Sequence, residues 1–215
     1  MGSDASGAMG RKGESGRSRG APPSCESFVN ALVREVGETR KEVEGRFGGL
    51  DPAQLSWSPK PGRWGVGELL GHLLVTNGLY LTGLRSGLDA LQTRERRPEV
   101  PVRGTLLGRS FARMVGPDAP LRLPAPPSFR PRTEADGGDT SSSSSPVSAF
   151  LAQQDEILEL LERARGLPLD EATIPSPATR FLRFRLTDAF RIVVAHQWRH
   201  VHQAHRVVAE PGFPQ

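Results

Sequence analysis

Four stretches of this chain repeat their apolar residues at intervals of three and four, and none alternates apolar with polar residues convincingly over the length of a strand. The first runs from about Ser24 to Phe47, with Phe28, Leu32, Val36, Val43 and Phe47 on one side. The second follows "SPKPGRW" and runs from Val66 to about Thr93. Gly65 or Gly67 can start it, and Glu68 favours its first turn through the helix dipole. The third, "SAFLAQQDEILELLERARG", begins at Ser148 and meets a plausible stop at Gly166. The fourth, with Thr187 or Asp188 as N-cap, ends near Ala209, just ahead of Pro211. A short helix fits Thr105 to Met114, and "TRFLRFRL" (179–186) reads as an extended lead-in to the fourth segment. An apolar stripe on a helix must be buried against another element. The expectation is therefore an all-α fold, a four-helix bundle with long connections.

Composition decides how much of the chain that bundle uses. Hydrophobic residues make up 36% of the 215, enough for one core but not for ordering every residue. Residues 1–22 are Gly, Ser and Arg with almost no large apolar side chain, and they predict a disordered tail before a domain spanning 23–212. Residues 117–146 form a proline-rich and then serine-rich run, which predicts a flexible connection within that domain. The net charge is +4, but the arginines are dispersed among 24 acidic residues rather than gathered in a stripe with aromatics. That distribution argues against nucleic-acid binding. Cys25 is the single cysteine, so no internal disulfide forms, and its place beside the tail argues against a catalytic thiol. No apolar run reaches membrane-spanning length and no secretion signal opens the chain, so the expected setting is cytoplasmic, without membrane contact.

Of five histidines, four lie in "AHQWRHVHQAHRVV" (195–208). On a helical wheel His196 and His200 share one flank with Ala189, Val193, Ala204 and Val207, within or beside the apolar face. A pair at i and i+4 can present two nitrogens to one cation, or can be two part-buried imidazoles bonded to neighbours. His202 and His205 fall toward the other edge, as solvent-side histidines. The fifth, His72, sits among leucines in "GVGELLGHLLV". There its nitrogens need partners, and a metal is one way to supply them. In a bundle the lone histidine and the pair can converge. Glu68, one turn before His72, is open to four readings: a further ligand, an acceptor behind the ligands, a general base, or a helix-start residue only.

These segments, "LSWSPKPGRWGVGELLGHL" (55–73) and "LTDAFRIVVAHQWRHVHQAHRV" (186–207), resemble the DinB-like superfamily of four-helix metal-binding proteins. The resemblance is carried by Pro61, Trp64, Glu68 and His72, then His196, His200 and Gln203. It implies a divalent metal, zinc or nickel, held by His72, His196 and His200. Gly65 departs from the pattern, where Ser or Thr is common, as does the long 117–146 connection. Three histidines leave a coordination position open. A metal so held acts as a Lewis acid and lowers the pKa of a bound water or thiol. The resemblance thus implies a metal-dependent thiol transferase or hydrolase acting on a small molecule, with a low-molecular-weight thiol as the expected co-substrate. Glu68 and Arg199 are the catalytic candidates, Arg199 either binding an anionic substrate or serving as an exposed structural residue. The alternatives are a non-catalytic, metal-stabilised binding or stress-response module and a metal-free bundle. A homodimer also stays open.

Overall fold

The computed structural model describes residues 21–117, 119, 129–130 and 144–215. The expected tail and connection lie almost wholly outside the described residues. Six helices and one hairpin follow in order: α1 (Cys25–Phe47), α2 (Pro52–Ser56), α3 (Val66–Leu91), α4 (Leu106–Val115), α5 (Pro146–Ala164), β1 (Thr173–Ser176), β2 (Thr179–Arg185) and α6 (Leu186–Val208). The four long helices are the four periodic segments, and α4 is the expected short one.

Local chemistry explains most of the boundaries. The Ser24 side chain accepts from Ser27 N at the start of α1, and Ser145 accepts from Ser148 N at the start of α5. Gly166, at φ +71, follows the end of α5 in the left-handed region that favours glycine. Gly65 is the N-cap of α3 and has no side chain to cap with, so Glu68 reaches back and its Oε2 accepts from Gly65 N at 3.0 Å. A Cβ on Gly65 would stand 2.2 Å from the Trp57 carbonyl oxygen, which is why no Ser or Thr fits there.

Two expectations need correction. The N-cap of α6 is Arg185, neither Thr187 nor Asp188. Asp188 is fully buried, and its carboxylate instead accepts from the backbone N and Oγ1 of Thr105, each at 2.9 Å, where α4 begins. A tertiary contact has taken the carboxylate that a local cap would use. The lead-in at 179–186 is a true strand, paired antiparallel with β1 in a register that sets Ile174 opposite Phe184. Leu182, Phe184 and Leu186 turn inward at alternate positions. Phe181, 86% exposed on the outer side, hides that alternation from a reading of the sequence.

In the bundle, α1 packs on α5 and α6, and α3 packs on the same two helices, which closes a four-helix ring. The α4 helix docks on the outside of α6, and the hairpin leans on α3. The core falls into two apolar clusters, one containing Val36, Leu84, Ile157 and Val194, the other Val43, Leu73, Phe150 and Val201. Between them each long helix contributes a fully buried polar residue: Thr39, Asn77, Gln154 and Gln197. On α6, His196 adjoins Gln197, while His72 lies on α3 between Leu70 and Leu73 of the second cluster.

Candidate metal centre

His72 on α3 and His200 on α6 are 3% and 7% exposed, and His196 is half-buried one turn before His200. The i, i+4 spacing sets the two α6 rings edge to face, with centroids 4.5 Å apart, and the α3–α6 packing brings His72 to within 5.1 Å of His196 and 4.6 Å of His200. His196 Nε2 stands 3.4 Å from His72 Nε2 and 3.0 Å from His200 Nε2. The three ligand atoms all lie within 4.8 Å of one another. Nitrogens held about 2.0–2.1 Å from one zinc-sized ion at tetrahedral angles would stand about 3.4 Å apart. The donor set therefore fits a divalent metal.

The surroundings prepare the nitrogens for that role. His72 Nδ1 donates to the Phe129 carbonyl at 2.5 Å, which places the ring's proton on Nδ1 and leaves Nε2 as a lone pair facing the other two imidazoles. The Trp64 ring covers the group, 4.9 Å from His72 and 6.3 Å from His200. Burial is the largest influence on all three pKa values. It lowers that of His72, takes His200 down to about 3, and holds His196 well below the ordinary histidine value. Mutual repulsion and the Arg199 charge add to this for His196 and His200, while the nearby Gln203 side chain opposes it at His200. Three imidazoles kept neutral are in the protonation state a metal requires.

The structure brings together His72, His196 and His200, as the sequence predicts. His202 is exposed, and His205 is half-buried with its Nε2 3.4 Å from Glu42 Oε2, so neither joins the group. Glu68 lies one turn before His72, with its carboxylate on the Gly65 amide. Arg199 lodges Nη1 on the carbonyls of Met114 and Gly116, at 3.5 and 3.2 Å, and so joins α6 to the end of α4. Burial pushes the Cys25 thiol pKa up, in keeping with a side chain expected to be chemically quiet. The sequence reading missed Phe129. Its contribution is a backbone carbonyl from the long connection, and no residue type advertises one.

Fold and site together define a four-helix protein with a buried three-histidine cluster compatible with metal binding. A family model of the DinB superfamily matches residues 35–204, and the chain belongs to that superfamily. No curated protein and no solved structure matches it. None of the helices among the described residues is long and apolar enough to cross a membrane.

Proposed function

We propose that this protein is a metal-dependent enzyme of the cytoplasm that uses zinc or nickel to transfer a low-molecular-weight thiol to a small electrophile, or to hydrolyse a related small substrate. The reading rests on one observation: three neutral imidazole nitrogens converge, one of them fixed in tautomer by a carbonyl behind it. Imidazole donors suit zinc and nickel alike. A three-nitrogen set leaves room for a further ligand, the catalytic rather than the closed structural pattern. When bound, the ion would supply Lewis acidity, lowering the pKa of a thiol or water.

The chain's own residues divide the remaining work. Phe129 orients His72, and Trp64 keeps water from one side of the group. Glu68 holds the start of α3, and so the placement of Trp64 and His72, through its bond to Gly65 N. Arg199, three residues from His196, makes the approach favourable to an anionic substrate. A second reading, a metal that only stiffens a binding module, is favoured by the position of the centre, which joins α3 to α6.

The test is metal analysis of the purified protein followed by a panel of thiols and electrophiles with and without chelator. About one zinc or nickel per chain, and turnover that chelator abolishes, is the expected result. Metal without turnover across the panel would favour the stiffening role, and less than a tenth of an ion per chain after supplementation would end both readings.

A further inference from the structure

A second feature stands apart from the histidines. A cavity of about 950 Å³ opens between α1, α4 and α6. Arg191 and Ala195 present it on α6, about 140° around that helix from the midpoint of His196 and His200 at 3.6 residues per turn. Phe28 and Leu32 of α1, with Ala112 and Met114 of α4, make an apolar wall.

Three arginines line the same space: Arg109, Arg113 and Arg191. Several other arginines have carboxylate partners, Arg94 with Glu171, Arg163 with Asp89, and Arg165 with Glu26 and Glu162. The cavity trio has no carboxylate in ion-pair reach among the described residues. Arg109 spends one nitrogen on the Arg103 carbonyl at 2.8 Å, and Arg191 makes a longer bond to the same oxygen at 3.4 Å. The Arg191 guanidinium lies over the Phe28 ring, 4.9 Å from its centre. Burial lowers the Arg191 pKa, and the charge of Arg109 adds to the effect against the opposing pull of Asp188 and Asp170. The acidic residue in the wall, Glu35, has its carboxyl pKa raised by burial, which weakens its claim on these cations.

Guanidinium groups with spare donors, set beside an apolar wall, match a carboxylate headgroup on an apolar body. We propose that this cavity is a binding site for a small amphipathic carboxylate, separate from the histidine centre. The headgroup meets Arg113 and Arg191, and the body lies along Phe28, Leu32 and Met114.

Calorimetric titration of the full chain with octanoate, and with octanol as the uncharged match, tests the proposal. The expected result is saturable binding of about one octanoate per chain, with octanol about tenfold weaker or more. Arg113 is exposed on α4 and, among the described residues, has no ring contact of the Phe28–Arg191 kind, so Arg113→Met isolates the charge. It should weaken octanoate about tenfold and leave octanol unchanged. Arg191→Met should do the same, with a circular-dichroism melt to report any loss of fold. His200→Ala should bind octanoate as the parent does. Absence of saturable binding, equal binding of octanoate and octanol, or an Arg113→Met variant that binds like the parent would overturn the proposal. Loss of binding in His200→Ala would place the anion at the histidine centre and overturn the claim of a separate site.

Discussion

Two histidine pairs share α6, and they differ in everything but residue type. His196 and His200 face α3, meet a third imidazole and lie under Trp64. His202 and His205 sit less than two turns further on, one exposed with its ring tilted 5.4 Å from Trp198, the other packed 5.4 Å from Phe47 beside Glu42. Burial takes the His200 pKa to about 3, whereas at His205 a milder desolvation is opposed by the Glu42 charge. Being one turn apart on a helix makes a pair of ligands available. Only a third donor and a dry environment make the pair a site.

Metal content should separate the two pairs most widely. His200→Ala and His72→Ala should each lose most of the bound ion, while His202→Ala retains it, as measured by elemental analysis of protein purified in parallel. Equal losses from His200→Ala and His202→Ala would mean that the comparison has the pairs the wrong way round.

Next in size is the thermal effect of removing the ion. Metal held between α3 and α6 adds its binding free energy to folding, so chelation should lower the melting temperature by several degrees or more. Helical content at room temperature should persist, because Leu69, Leu73, Val193, Val194 and Val201 stay buried in the bundle. A melt insensitive to chelator, in protein shown to hold metal, would make the ion peripheral to stability.

Proton titration sharpens the contrast further. In metal-free protein, imidazole NMR should show His200 neutral until the pH approaches about 3. His205 should titrate below the ordinary value, with the Glu42 charge opposing the shift. A depressed folded-state pKa means that the unfolded chain binds more protons over the interval between the two values. Stability from the buried group is therefore fully present above the unfolded value of about 6.5 and drains away as pH falls toward about 3. The melting temperature of the metal-free protein should fall across that window. Common titration of His200 and His205 near 6.5 would contradict the burial assigned to the centre.

The smallest effect belongs to the outer pair. Glu42 is 43% exposed in its contact with His205, and such pairs contribute from nothing to about 1 kcal/mol. Glu42→Gln should change the unfolding free energy from denaturant titration by no more than that, without touching metal content.

The periodic segments carried the helices because their signal is local. Apolar residues three and four apart define one face of a helix whatever surrounds it, so α1, α3, α5 and α6 fall where the pattern places them. The histidines were legible for the same reason, with i, i+4 geometry setting His196 beside His200 and the leucines around His72 making that residue anomalous. Family resemblance in the two motif segments then named the same three residues. The hairpin was not legible, since an outward Phe181 makes β2 look irregular until its partner strand is known.

Local pattern thus carried the helical class, the approximate helix ends and the placing of His196 and His200 one turn apart on α6. Packing set Asp188 on Thr105 rather than at the cap of α6, put the Phe129 carbonyl behind His72, and gathered three arginines from two helices around one cavity with no carboxylate in ion-pair reach among the described residues. Each of these joins groups from different elements, many of them dozens of residues apart. Backbone carbonyls and amides are the same at every position, so no composition or spacing marks the one that will be used. Only the packed chain, where a buried polar group must find a partner or go without, determines which pairs meet.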